Sequence, residues 1–236
     1  MTYALLQTTM NPPPVDALQR AFRDSRSLSS ADAIFVADDA FGMLARDLPE
    51  DEAQSIAAFL AAEGVHVDVV AEGDLPRLPE AQFFLSARPE GPVLELFDAL
   101  ERAESIPWPA LRLIAVGYDQ REVRLELVAG DALLRYSTTM ARLHFHPGPE
   151  TGGRSPAGKL LALLRRLRER APRAWLNRGA EALLSEDAPE RIEDLTAYPR
   201  PSAFHEELVW LLWRARKADE AEGAGEAGTR PSTGEA

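Results

Sequence analysis

Two histidines and a glutamate near residue 145 are the side chains in this sequence best suited to metal chemistry. His144 and His146 are two residues apart, and Glu150 follows four residues later. Residues at i and i+2 of a β-strand point to the same face, so both imidazoles would reach one metal ion. A carboxylate can serve as a further ligand beside two imidazoles. The spacing therefore predicts a metal site at His144, His146 and Glu150.

The same His-x-His-x₃-Glu spacing resembles the first motif of the cupin barrels, which implies a metal-binding barrel or a metal-dependent enzyme. The sequence departs from that family at two points. Thr138 stands where the family has a glycine, and the only histidine downstream, His205, falls in a predicted helix. The other interpretation is a solvent-facing strand on which only Phe145, between the two histidines, is buried.

A glycine-rich stretch follows these histidines and has part of a phosphate-binding pattern. Gly153, Gly158 and Lys159 have the spacing of a P-loop that runs into a helix. However, Leu160 replaces the hydroxyl residue that would hold Mg²⁺, and Pro156 removes a backbone donor from the loop. These two departures favour an ordinary loop that leads into a helix.

A basic amphipathic helix is predicted over 159–171, because leucines recur there at helical spacing. Six cations cover its other face and its C-terminal flank: Lys159, Arg165, Arg166, Arg168, Arg170 and Arg173. Such a face can meet an anionic membrane or a nucleic acid. The net charge of the chain opposes both, so we expect these cations to face solvent and to pair with acids of the N-terminal part.

A second helix begins near Ala203, where Ser202 can cap it. Trp210 and Trp213 widen its apolar surface beyond the stripe of an ordinary surface helix. We therefore expect this helix to pack on the body of the chain along most of its circumference, with one of the indoles completing a core. In the alternative, Trp210 and Trp213 stay exposed as an interaction surface for a partner.

Composition excludes several classes of protein. The 236 residues carry 26 Lys and Arg against 38 Asp and Glu, a formal charge of −12, which argues against general nucleic-acid binding and against attraction to anionic lipid. The absence of cysteine excludes disulfide scaffolds and thiol nucleophiles, and it is typical of a reducing cytoplasm. Residues 1–14 lack the pattern of a signal peptide, and no apolar run approaches the roughly 20 residues of a membrane helix.

The first 70 residues predict the order strand, helix, helix, helix, strand. The segments Leu28-Ser-Ser-Ala-Asp-Ala and Leu48-Pro-Glu-Asp-Glu-Ala-Gln-Ser-Ile-Ala-Ala-Phe-Leu-Ala-Ala-Glu-Gly-Val-His-Val-Asp-Val carry this pattern. They resemble the C-terminal domain of the bacterial ribosomal stalk protein, which implies a small α/β plait. That domain engages translation factors through a surface that contains lysines. This segment has no lysine, so the resemblance implies the fold alone.

The middle of the chain is rich in predicted strands. They cover 82–87, 93–97, 111–118, 123–128 and 133–145, and the basic helix follows them. Several antiparallel strands closed by one helix resemble a pleckstrin-homology-like barrel. An open α+β sheet is the alternative.

These observations predict an α+β protein with an acidic α/β domain at 1–72 and a linker at 73–80. We expect a β-rich domain with its capping helix at 81–173, a C-terminal extension with a helix at 174–216, and a disordered tail at 217–236. The Pro- and Gly-containing composition of the linker and the small polar residues of the tail support these boundaries.

The sequence favours a cytoplasmic, non-enzymatic interaction or adaptor protein that binds a protein partner without a cofactor. This hypothesis depends on the lack of a catalytic signature, the uneven charge and the tryptophan-bearing helix. One alternative is the metal-binding barrel or metal-dependent enzyme built on His144, His146 and Glu150. Another is a small acidic inhibitor or immunity-type protein, which charge and size alone suggest.

Overall fold

A computed structural model describes most of the chain and confirms the α+β class. The described residues are 1–9, 11–39, 42–119, 122–145, 155–185, 198 and 201–227. Within them, no helix has the length and apolarity that a membrane crossing requires.

The N-terminal part is a three-stranded antiparallel sheet with helices on one face. Its elements are β1 (Tyr3–Gln7), α1 (Val15–Ala21), α2 (Asp32–Asp39), β2 (Met43–Leu48), α3 (Glu50–Ala62) and β3 (Val67–Ala71). The strand order is β2-β1-β3. Leu5 faces a core formed with the three helices, whereas Ala4 and Leu6 face the other side of the sheet. Both faces of β1 are therefore covered.

The predicted order of this part lacks one strand, β2. Its sequence, Met-Leu-Ala-Arg-Asp-Leu, consists mainly of good helix formers. It is extended because it pairs with β1, Tyr3 opposite Leu48 and Leu5 opposite Ala45. Long-range pairing outweighs local propensity at this strand.

The middle of the chain forms two further sheets. Its strands are β4 (Gln82–Phe83), β5 (Ser86–Arg88), β6 (Val93–Phe97), β7 (Ala103–Pro107), β8 (Leu111–Asp119), β9 (Glu122–Ala129), β10 (Leu134–Thr139) and β11 (His144–Phe145). One sheet has the order β11-β5-β6-β7, and β8-β9-β10-β4 belong to the other. The segment predicted as one strand at 133–145 is thus divided between two sheets.

The pleckstrin-homology-like barrel is wrong as an architecture. In the described part of the chain the two sheets stay open, as the alternative predicted, and they pack through a shared apolar core. The short strands β4 and β11 add to the sheet edges in parallel, so they do not close a ring of antiparallel strands.

The C-terminal part consists of α4 (Pro156–Arg170), β12 (Trp175–Leu176), α5 (Arg178–Leu184) and α6 (Pro201–Ala227). β12 pairs with β8, which completes a five-stranded sheet of order β12-β8-β9-β10-β4. α4 and α5 cover one face of this sheet. α6 lies between its other face and the N-terminal sheet.

The position of α6 explains two departures from the predicted boundaries. Its apolar core joins Leu6 of the N-terminal sheet to Leu113 of the five-stranded sheet, and Leu75 in the predicted linker is buried against the same core. The helix also continues to Ala227, beyond the predicted end of order at 216. Ala and Glu favour helix in this stretch, and Arg216 pairs with Glu220 at 3.7 Å.

Candidate functional site: a tryptophan–arginine groove beside the last helix

A cavity of about 370 Å³ opens where β8, β12, the C-terminal end of α4 and Asp219 of α6 meet. We call it the first cavity. Its lining consists of indoles, guanidinium groups, small apolar residues and one carboxylate: Trp108, Pro109, Leu111, Arg112, Arg170, Ala171, Pro172, Arg173, Ala174, Trp175 and Asp219.

The end of α4 positions two of these arginines. The helix stops at Arg170 because Pro172 cannot continue it, and buried Ala171 and Ala174 hold the following turn against the sheet. The Arg168 guanidinium donates to the carbonyls of Pro172 and Ala174, at 2.9 and 3.4 Å, which satisfies carbonyl groups of this turn. Trp175 then enters the sheet opposite Leu113.

Trp108 and Arg170 form one wall of the first cavity. The guanidinium carbon of Arg170 lies 5.7 Å from the centre of the Trp108 ring, and its Nη2 donates to the carbonyls of Glu90 and Gly91 at 3.2 and 3.1 Å. Trp108 Nε1 donates to the same Gly91 carbonyl at 3.1 Å. These contacts hold the cation in place over the indole.

Arg112 and Asp219 also line the first cavity, and they form an ion pair. The Arg112 guanidinium donates to the Asp219 carboxylate from α6. Both side chains remain partly exposed, 31% for Arg112 and 52% for Asp219. The ion pair is thus open to solvent, and another carboxylate can compete for the guanidinium.

All four tryptophans of the chain carry a cation on a ring face. Besides Trp108, Arg214 lies 5.5 Å from the Trp175 centroid and 5.2 Å from that of Trp210. Arg216 and Lys217 lie 4.5 and 5.3 Å from the centroid of the Trp213 ring. A cation over an indole is attracted to the electron-rich face while its N–H groups remain available at the edge.

A second cavity, of about 280 Å³, lies between α6 and the N-terminal sheet. Its lining comes from β1, the residue after it, β3, β12 and α6: Gln7, Thr8, Asp68, Trp175, Trp213, Arg214, Lys217 and Ala218. Trp175 lines both cavities, and Ala218 and Asp219 are neighbours in α6. We call the two cavities together the Trp175 groove.

The charge of the groove is opposite to that of the chain. The described part of its lining holds five cations and two carboxylates, Asp68 and Asp219, in a protein whose formal charge is −12. Locally clustered cations attract anions even on an acidic protein, because salt screens charges beyond about 10 Å.

Two carboxylates are buried elsewhere, Glu207 of α6 and Glu126 of β9, and their contacts are structural. Glu207 accepts hydrogen bonds from Tyr198 Oη and from the Arg178 backbone N–H, the latter at 3.1 Å, and burial raises its pKa. Glu126 accepts two hydrogen bonds from the Arg135 guanidinium, at 2.6 and 2.8 Å. The first network joins α6 to the start of α5, and Arg135 also reaches α6, because its Nη2 lies 2.8 Å from His205 Nε2.

Asn177 completes the first of these networks. Its carboxamide pairs with the backbone of Val116, accepting from the N–H at 2.8 Å and donating to the carbonyl at 2.9 Å. The same Oδ1 caps α5 by accepting from the Ala180 N–H at 3.0 Å. α5 is thereby fixed against β8.

Of the predicted metal ligands, the structure describes only His144, which lies exposed on β11. His146 and Glu150 lie outside the described residues, so the predicted metal site stays a prediction. Among the residues that are described, no three metal-ligating side chains come together.

Of the three residues that have the P-loop spacing, the structure describes only Gly158 and Lys159. Gly158 and Lys159 lie inside α4, and Ser155 Oγ caps the helix by accepting from the Gly158 N–H at 3.2 Å. Gly153 lies outside the described residues. The capped amide cannot at the same time cradle a phosphate, which agrees with the interpretation as a loop leading into a helix.

The basic helix is confirmed, but three of its cations have partners other than acids of the N-terminal part. Arg166 pairs with Glu169 at 2.7 Å, whereas Arg168 and Arg170 donate to backbone carbonyls. The leucine stripe of α4 is fully buried, as predicted.

The packing of α6 is confirmed. Trp210 has no exposed surface and Trp213 is 8% exposed, and Trp210 Nε1 donates to the Gln7 carbonyl at 2.7 Å. In the structure Trp210 is a core residue and therefore cannot present its ring to a partner. Trp213 offers the groove only the rim of its ring.

Sequence analysis did not identify Arg112, Trp108, Trp175, Arg214 or Asp219 as site residues. A signal was present, because Arg173-Ala-Trp175 and Trp213-Arg-Ala-Arg-Lys217 place arginine beside tryptophan in an acidic chain. Their convergence depends on the tertiary packing of α6, which no local pattern shows.

Comparison of the chain with protein-family models, with curated proteins and with solved structures finds no match. The groove is therefore interpreted from its own chemistry.

Proposed function

We propose that the protein is a non-enzymatic interaction module that binds an acidic segment of a partner protein in the first cavity. The observation that carries this proposal is the convergence of Arg112, Arg170 and Arg173 on a cavity of about 370 Å³ between two indoles. Arginine binds carboxylates with two parallel hydrogen bonds, and arginine and tryptophan are enriched at the energetic centres of protein interfaces.

The internal ion pair supports a carboxylate as the bound group. Asp219 already meets Arg112 at the cavity, which demonstrates a geometry in which a carboxylate fits this guanidinium. A partner's Asp or Glu side chain would make the same contact, with Arg170 and Arg173 adding further positive charge.

A single-stranded nucleic acid is disfavoured by the state of the indoles. Non-specific binding of single strands relies on aromatic faces on which bases stack. Here Arg170, Arg214 and the pair Arg216 and Lys217 occupy ring faces of the tryptophans, and three of the four indoles are otherwise buried. The N–H groups at the guanidinium edges can still bind carboxylates, whereas nucleic-acid bases find no free indole face on which to stack.

Fluorescence anisotropy with three labelled probes tests this function: deca-glutamate, deca-lysine and a ten-nucleotide oligo-dT, all at about 0.1 M salt, where the net charge of the chain is screened beyond about 10 Å. We expect saturable binding of deca-glutamate only. Arg112→Ala should weaken it about tenfold or more, since a hydrogen bond to a charged group contributes about 1.5–3 kcal/mol. Arg166→Ala is the matched control, because this arginine lies outside the groove and pairs with Glu169. Equal loss in both variants, or tighter binding of oligo-dT, would refute the proposal.

A further inference from the structure

The second cavity shares Trp175 with the first, and its lining has the same combination of cations and indoles. Lys217 and Arg214 supply two cations there, beside the Trp175 ring that both cavities share. Among the described residues of this lining, Asp68 of β3 is the only carboxylate. Positive charge is therefore concentrated on the α6 side of the second cavity.

The two cavities lie within reach of one short extended segment. Between Trp213 and Asp219, α6 advances six residues, which is roughly 9 Å at 1.5 Å per residue. An extended chain covers that length with about three residues at 3.3 Å each. Two acidic side chains separated by a few residues can therefore engage one cavity each.

Building on the proposed function, we infer that the ligand is an extended acidic segment of about six or more residues that spans the Trp175 groove. One carboxylate binds at Arg112, and a second binds at Lys217 in the second cavity. Because Gln7, Thr8 and Asp68 line this cavity, the segment contacts the N-terminal sheet as well as the β-rich part. The partner is recognised by both parts of the chain together.

Peptide length gives the first test. N-acetylglutamate amide has one carboxylate and fills one cavity, whereas octa-glutamate reaches both, so octa-glutamate should bind the unaltered protein about tenfold more tightly. Lys217→Ala should remove most of this gain and leave the affinity for N-acetylglutamate amide within about twofold. The chain has only one other lysine, Lys159 near the start of α4, and Lys159→Ala is the matched control.

Covalent labelling gives the second test on the unaltered full chain. An octa-glutamate peptide with one succinimidyl ester at its C-terminal carboxyl acylates nearby amines, and mass spectrometry assigns the product to Lys217 or Lys159. An octa-serine ester corrects for the intrinsic reactivity of each lysine. We expect the acidic peptide to favour Lys217 over Lys159 at least fivefold after this correction.

These experiments distinguish failure of the extended ligand from failure of the proposed carboxylate binding in the first cavity. Binding that requires Arg112 but is indifferent to Lys217, with equal labelling of both lysines, would overturn the extended ligand and leave the first cavity as the binding site. Absence of any Arg112-dependent binding would overturn both.

Discussion

Substitution of Glu52 should show how much more a buried, hydrogen-bonded carboxylate stabilises this protein than an exposed ion pair does. It lies in the first turn of α3 and is 7% exposed. Its carboxylate accepts hydrogen bonds from the hydroxyls of Ser25 and Ser27 and from the backbone N–H groups of Arg26 and Ser27. The loop between α1 and α2 is therefore bound to the start of α3 through one carboxylate.

These hydrogen bonds set the size of the expected effect. Led by the Ser27 hydroxyl, they lower the pKa of Glu52 from 4.5 to about 2, although its burial acts in the opposite direction. Each pKa unit corresponds to about 1.4 kcal/mol, so a shift of this size sets an upper limit of about 3 kcal/mol on the contribution of the ionised carboxylate to folding at pH 7. Because the pKa is lower in the folded state, this contribution is present above about pH 4.5 and is lost as the pH falls towards 2.

Urea unfolding of the protein and of Glu52→Gln, followed by far-UV circular dichroism between pH 7 and pH 3, measures this contribution. We expect the substitution to lower the free energy of unfolding by about 2–3 kcal/mol at pH 7 and by progressively less below pH 4.5. Glu63→Gln is the control. Glu63 lies at the C-terminal end of the same helix and pairs with Arg20 in an exposed ion pair, which contributes at most about 1 kcal/mol. A Glu52→Gln effect that matches the control, or that stays constant with pH, would refute the reasoning.

Two further predictions concern the packing around β8. Gly179→Ala should unfold the protein or lower its stability by more than about 3 kcal/mol, because a Cβ there would lie 2.0 Å from the Val116 carbonyl oxygen. Thermal denaturation measures this loss. Gly73→Ala is the control and should be neutral, because the space around Gly73 is open. Glu207→Gln tests the second buried carboxylate. Since burial raises the pKa of Glu207 in the folded state, the protein should lose stability relative to this variant as the pH rises above 4.5. If the protein instead gained stability over the variant with rising pH, the raised pKa of Glu207 would be contradicted.

The parts of the fold that follow from local signals were predictable from sequence. The leucine stripe predicted α4 close to its observed bounds. The acidic residues at its start and Gly64 at its end did the same for α3. β2 was missed because its residues favour helix, and β7 because Ala103-Glu-Ser105 lacks strand formers. Both are strands because a neighbouring strand supplies their hydrogen bonds.

The candidate site was less predictable than the fold. The basic helix and the tryptophan-bearing helix each stood out in the sequence, but as separate features. Their meeting at Trp175 depends on α6 packing between two sheets, which buries Trp210 and leaves Arg214 and Lys217 along the groove. The ion pair of Arg112 with Asp219 joins residues 107 positions apart, and no spacing rule relates them.

The most direct test of carboxylate binding in the first cavity is the affinity of Asp219→Asn for deca-glutamate. In the protein, Asp219 competes for Arg112, so its neutralisation should free the guanidinium and remove a repulsive charge. Fluorescence anisotropy should therefore show tighter binding by Asp219→Asn, about three- to tenfold, while Arg112→Ala binds more weakly than the protein. Unchanged or weaker binding by Asp219→Asn would contradict the proposal that the first cavity holds a partner's carboxylate.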